Sequence, residues 1–324
     1  MNGEPRRALL VASTGGHLEQ LTRLEPRLRP EFTQVHYATF DDQQSRSLLD
    51  GRQVHFVETI PPRGLRQALR VAGPARRILR EGGYTDVVST GSAVAVPFLV
   101  TARALGIRTH YIESAARSDG PSLTGRIMAR VPQVNRYTQY QNWADDVWSH
   151  RGSVFDRFTA LDARVDPRPA NRVVVTLGTM RRYPFRGAVE AVRAMLAEVA
   201  APDAEVLWQV GDTPVEDLDI HGHEMIPSTQ MRRAISDADL VFAHAGIGSC
   251  LQILDSGRSP VLLPRRSGRG EHIDDHQLLI AKELDDRSLA VSRDPRSLSV
   301  DDVLTAMSRR VGTTGHPRDF ILAG

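Results

Sequence analysis

Two Rossmann-like, doubly wound α/β domains in tandem, facing each other across a cleft, are what this sequence predicts. Three observations carry that expectation. The chain has 324 residues, more than one compact core usually holds and close to two domains of roughly 150 residues each. Apolar runs of strand length alternate with amphipathic stretches of helix length from end to end, which is the pattern of a parallel sheet covered on both faces. The alternation breaks once, at Asp162–Arg172, where two prolines and few large apolar residues suit a linker. The domains are accordingly placed at residues 1–165 and 166–324.

In the first half, Arg7–Ser13, Gln34–Thr39, Gln53–Thr59, Asp86–Ser89 and Thr109–Ile112 are predicted strands, with helices between them, the first over His17–Leu28. After the linker the pattern restarts with RVVVTLGT from Arg172, then EVLWQV, DLVFAHAG and SPVLLPR, with helices predicted over Cys250–Ser256 and Asp275–Leu284. A hydrophobic share of 41% and a charged share of 25% are ordinary globular values. The apolar run near the N-terminus is too short for a signal peptide, and no stretch approaches the roughly 18 apolar residues of a bilayer span. Cys250, the one cysteine, rules out an intrachain disulfide and fits a reducing cytoplasm. It is expected to pack as a small apolar residue.

In doubly wound sheets ligands bind at the carboxyl ends of the strands, and three loops at such ends stand out. Ser13-Thr14-Gly15-Gly16-His17 joins the first strand to the first helix; two glycines bring backbone N–H groups close to a ligand, and the helix start adds partial positive charge, which suits a phosphate. Its spacing is neither a dinucleotide fingerprint nor a P-loop, which argues against a dehydrogenase and an NTPase. His244-Ala245-Gly246-Ile247-Gly248-Ser249 repeats the arrangement in the second half, where Gly178-Thr179 offers a facing pair of donors. Two anion-ready loops in one domain match a diphosphate. Gly270–Gln277, GEHIDDHQ, is a dense polar run at a helix start and suits sugar hydroxyls. His272 and His276 stand four apart, with Asp275 nearby, but their spacing supplies no third metal ligand. Asp217-Leu218-Asp219 has a metal-binding form without a helpful context, so no metal is expected. Each loop also has a plainer reading, as a tight turn or a solvated helix start.

Together these loops resemble the GT-B glycosyltransferases that act on diphosphate-linked lipid acceptors. Ser13–His17, Thr90-Gly91, Tyr111-Ile112-Glu113-Ser114 and Ser122-Leu123-Thr124-Gly125 look like the acceptor-side subunit of bacterial exopolysaccharide transferases. Val175–Thr179, Tyr183-Pro184-Phe185, His244–Ser249 and Glu271–Gln277 look like the donor-side subunit, so the two appear fused. Both halves also resemble the two subunits of the eukaryotic enzyme that adds the second N-acetylglucosamine to dolichol diphosphate and, more distantly, the transferase that makes lipid II.

The resemblance implies that the second domain binds a UDP-sugar, through Gly178, Thr179, His244, Gly246, Gly248, Ser249, Glu271, Asp275, His276 and Gln277. Gln252 stands where the family usually has a ribose-gripping glutamate. Gly15, Gly16, Thr90 and Gly91 would meet the acceptor, and His17 or Glu113 would act as general base, His17 being favoured because histidine needs the smaller pKa adjustment. An inverting hexosyl transfer to a lipid-diphosphate saccharide, undecaprenyl-linked, in polysaccharide biosynthesis is the expected reaction, with no cofactor beyond the UDP-sugar substrate. A transferase for a soluble natural product and a UDP-sugar 2-epimerase are the alternatives. The arginine-rich stretch Pro61–Arg80, with Arg63, Arg66, Arg70, Arg76, Arg77 and Arg80 among Leu65 and Leu69, is expected to attach the protein peripherally to the anionic inner face of the plasma membrane. It lacks the aromatics of a nucleic-acid groove.

Overall fold

A computed structural model describes residues 6–61, 64–161, 169–315 and 317–323. The chain divides into two compact units, one formed by Met1–Asp156 with Pro317–Gly324 and the other by Arg157–His316.

The sheet of the first unit has seven strands, in the spatial order Gln53–Val57, Gln34–Phe40, Arg7–Ala12, Asp86–Gly91, Arg108–Ile112, Asn135–Thr138 and Ser149–His150. All its pairings are parallel. The order runs outward from Arg7–Ala12 in one direction for the next two strands, then reverses to its other side with Asp86–Gly91. Ala8 to Ala12 are fully buried, as a central strand covered on both faces requires. The second sheet has the order Gly222–His223, Ala200–Gln209, Ala170–Thr176, Leu240–Ala243, Val261–Leu262 and Val291–Ser292, also parallel throughout. It reverses in the same place, between its first and fourth strands. The predicted fold class is therefore the observed one, and each unit has a switch point of the kind where doubly wound sheets bind ligands.

The unit boundary falls earlier than residue 165. Phe158–Leu161 pairs antiparallel with Arg310–Thr313 and so goes with the second unit. The chain end returns to the first: Phe320–Ile321 pairs with Leu28–Arg29, Phe320 is fully buried with its ring 5.5 Å from that of Tyr137, and Ala323 N–H donates to the Tyr137 hydroxyl at 2.8 Å. Of the predicted linker, 162–168 lies outside the described residues, and Ala170–Thr176 is already strand.

Helix Leu65–Glu81 buries Val71, Ala75 and Leu79 against the first sheet's core and leaves Arg66, Arg70, Arg76, Arg77 and Arg80 exposed, with Leu69 68% exposed among them. Arg63 and the side chain of Leu65 lie outside the described residues. No helix among the described residues is long and apolar enough to cross a membrane.

Candidate functional site

At the switch point of the first unit, Ala12 pairs with Gly91, and the helix Gly16–Leu24 starts four residues later. His17 lies in its first turn. The imidazole Nδ1 sits 2.7 Å from the Thr90 carbonyl oxygen, and the Thr90 hydroxyl donates back to the His17 carbonyl at 2.8 Å. A carbonyl only accepts, so Nδ1 carries the proton and the basic nitrogen of the ring is Nε2. Gly91 makes room for this ring: at φ +111 a side chain is strained, and a Cβ would lie 3.2 Å from His17 Cε1 and 3.1 Å from the Tyr111 hydroxyl. Thr90 is fully buried while His17 is half-buried.

Two other expected residues are more committed. The Gly15 amide donates to Gln44 Oε1 at 2.6 Å. Glu113 is fully buried and accepts from Ser122 N–H at 3.0 Å, the Ser122 hydroxyl at 3.1 Å, Ser114 N–H at 3.1 Å and the Tyr111 hydroxyl at 3.2 Å. Burial pushes its carboxyl up from the usual range against those donors. A Cβ on Gly125 would run into its Oε2. Glu113 thus anchors the Ser122–Gly125 turn from below.

In the second unit Gly178 and the helix Ile247–Asp255 flank the corresponding switch point. That helix starts earlier than predicted, with Gly246 preceding it, so the amides of Ile247, Gly248 and Ser249 form the first turn, which has no intrahelical acceptors. His244 Nδ1 lies 3.2 Å from the Thr176 carbonyl. Its Nε2 lies against both glycines: a Cβ on Gly178, which has φ +90, would come within 3.0 Å, and one on Gly246 would run into it. Both glycines therefore house an imidazole as well as leaving amides open. Burial, with Arg265 adjacent, brings the His244 pKa down to about 4, so the ring is neutral at pH 7. Gly211, at φ +61, lets the Gly178 carbonyl approach: a Cβ there would be 2.6 Å from it. Thr179 is exposed, and Ser249 and Gln252 are half-buried.

The polar run closes on itself. Glu271 Oε2 accepts from Arg266 N–H at 2.9 Å, and Asp275 Oδ1 accepts from Ser267 N–H at 2.7 Å, which with other hydrogen bonding from Ser267 holds the Asp275 carboxyl below its usual range. Gln277 is 3% exposed and gives its carbonyl oxygen to Arg265 N–H at 3.1 Å, so its NH2 is what it can offer a ligand. His276 Nδ1 bonds Asp274 Oδ1, and His272 Nδ1 is 3.2 Å from the same oxygen. Asp274 is thus the third ligand-type residue that sequence spacing did not supply. Among the described residues this trio is the one group of three or more that could hold a metal. Asp217, by contrast, is held in a two-point ion pair by Arg186, both contacts at 2.7 Å. Cys250 is fully buried, its thiol pushed up to about 12, and is inert packing.

Three side chains that position these loops were missed. Gln20, fully buried, donates to Gly16 O at 3.0 Å and Ser114 Oγ at 2.9 Å and accepts from Ala115 N–H at 2.7 Å. Gln44 holds Gly15. Arg265 ties the second site together.

Residues 172–308 match the glycosyltransferase family 28 C-terminal domain. The chain is 27% identical over 321 residues to the UDP-N-acetylglucosamine–N-acetylmuramyl-(pentapeptide) pyrophosphoryl-undecaprenol N-acetylglucosamine transferase of Salinibacter ruber, covering 92% of this chain and 81% of that protein. Among solved structures, MurG of Acinetobacter baumannii superimposes with a TM-score of 0.59 at 20% identity, over 93% of this chain and 89% of that one. The glycosyltransferase SnogD of Streptomyces nogalater gives 0.59 at 18% identity, over 93% and 91%. The fold is GT-B, and the chain is an enzyme, a glycosyltransferase.

Proposed function

We propose that the protein transfers a sugar, with inversion, from a UDP-sugar to a lipid-diphosphate-linked saccharide, of the undecaprenyl type, during synthesis of a polysaccharide. The observation that carries this reading is the pairing of two anion-ready elements at one switch point of the second unit: the Gly178–Thr179 turn and the first turn Ile247–Ser249. A diphosphate is the ligand two such elements fit. The Salinibacter relative, named for a UDP-N-acetylglucosamine donor and a pyrophosphoryl-undecaprenol acceptor, supports the same substrate classes. Gln252, His276 and the Gln277 NH2 would meet ribose and sugar. The fused exopolysaccharide-type arrangement is part of this proposal, as is a cytoplasmic, peripheral location.

His17 is the base in this scheme. The acceptor hydroxyl gives its proton to Nε2, its oxygen bonds the anomeric carbon, and the bond from that carbon to the β-phosphate oxygen breaks as UDP leaves with the electron pair. Backbone amides and the helix end stabilise the charge developing on the diphosphate, so turnover proceeds without an obligatory metal. Exposed Arg66, Arg70, Arg76 and Arg77, with Leu69 between them, attach the first unit to anionic lipid, each basic residue near such a surface being worth about 1 kcal/mol.

Mass spectrometry of products from a panel of UDP-sugars with undecaprenyl-diphosphate saccharides, run in EDTA, tests the proposal. A glycosylated lipid product is expected. Activity only on soluble acceptors, or conversion of the UDP-sugar alone, contradicts it, and dependence on added Mg²⁺ or Mn²⁺ would give the His272–Asp274–His276 group a catalytic ion. Reversing the charge of Arg70, Arg76 and Arg77 should abolish pelleting with anionic vesicles at low salt.

A further inference from the structure

Among the described residues Arg265 is the largest fully buried side chain, at 1% exposure. Its Nε and Nη2 donate to the Leu177 carbonyl at 3.2 and 2.7 Å, and Nη1 donates to the Glu271 carbonyl at 2.9 Å and to the Tyr183 carbonyl. The guanidinium lies over the Phe185 ring, 4.8 Å from its centroid. Its own N–H holds the Gln277 carboxamide. One side chain therefore joins the residue before Gly178 to the start of the polar run, and its backbone fixes the end of that run.

Its charge balance is unusual. Buried arginines are ordinarily paired with carboxylates, yet all the guanidinium bonds here go to main-chain carbonyls, and among the described residues no carboxylate forms an ion pair with it. Carbonyl dipoles solvate the cation, and Glu271 is the carboxylate whose charge acts on it from beyond ion-pair distance. Its field reaches the neighbouring loop, where it is the second cause, after burial, of the lowered pKa of His244. With the half-buried Glu271 carboxylate in its field, the fully buried guanidinium still sets its positive charge one residue from Gly178, where an anion would meet it.

We propose that Arg265 is the buried counter-charge and the positioning residue of the donor site: its positive charge selects the diphosphate of the nucleotide, and its fork of hydrogen bonds holds the turn at Gly178 and the run Glu271–Gln277 in one geometry for the attached sugar. This rests on the donor-site reading above. The two roles separate by substitution. Arg265→Met removes charge and fork; Arg265→Lys keeps the charge but cannot bridge three carbonyls.

Calorimetry on the full-length protein with uridine, UDP and a UDP-sugar tests both. Arg265→Met should lower UDP affinity by about tenfold or more, as loss of a charged partner does, while uridine affinity stays within about threefold. Arg265→Lys should keep the preference for UDP over uridine and lose the extra affinity contributed by the sugar. A merely structural arginine would instead lower uridine and UDP affinity together. If Arg265→Met does not fold, the lysine variant still decides: an unchanged sugar contribution overturns the positioning role, and a lost UDP preference overturns the charge role. Wild-type protein with no preference for UDP over uridine overturns this inference and the donor-site reading together. A wild-type preference that survives Arg265→Met overturns this inference alone.

Discussion

The two units place a histidine at the same point of the same fold and prepare it in different ways. His17 and His244 both stand just beyond the switch point of a doubly wound sheet, and each has Nδ1 against a main-chain carbonyl, Thr90 in one unit and Thr176 in the other. Glycines make room for both rings, Gly91 for His17 and the pair Gly178 and Gly246 for His244. The surroundings then diverge. Both rings are half-buried, but His17 is clamped by Thr90, whereas His244 has the buried cation Arg265 close by and is held neutral. Under the proposed function one fold yields a proton-accepting site and an anion-accepting site, and what separates them is the charge placed beside the ring.

The largest effect should come from His17. His17→Ala should lower kcat by about 10²- to 10⁴-fold, the range of a lost general base, as measured by initial rates at saturating donor. In the other unit, Gly246→Val would drive a side chain into His244, and such overpacking should weaken UDP binding by about ten- to a hundredfold. Gly91→Ala is a subtler probe. With φ at +111 and the His17 ring 3.2 Å from the added methyl, strain on the order of 1 kcal/mol should lower kcat by about tenfold and leave UDP affinity unchanged. Equal damage to UDP binding would erase the distinction between the two histidines.

What the sequence revealed of this pattern, and what it hid, follows from distance along the chain. Strand runs such as Ala8–Ala12 and Val173–Thr176 and the glycine turns after them are local signals, so the fold and the loops at the switch points were legible. Gln20 was not, because a glutamine on an amphipathic helix suggests a solvated face, and its partners Ser114 and Gln139 lie 94 and 119 residues away. Arg265 was masked by a chain in which nearly every basic residue is arginine. Glu113 stood out by type, but only the packing of Ser122 and Gly125 around it shows an anchor closed to solvent. The return of Phe320 to the first unit has no periodic signature at all.

A separate test of the contrast reads stability against pH. Folding lowers the pKa of His244 from its ordinary 6.5 to about 4, so the unfolded chain binds the extra proton first. Stability from this group is present above pH 6.5 and is lost as pH falls through about 4, a difference on the order of 3 kcal/mol at most. His244→Gln should flatten that part of the denaturation profile of the second unit, and a His17→Ala profile should keep it.

Side-by-side calorimetric titration of UDP into the full-length wild type, His17→Ala and Gly246→Val tests the division of labour most directly. Wild type and His17→Ala should bind UDP with the same affinity within about threefold, although the second is nearly inactive, and Gly246→Val should bind at least about tenfold more weakly. Loss of UDP affinity in His17→Ala with normal binding in Gly246→Val would contradict it, by placing the donor in the first unit.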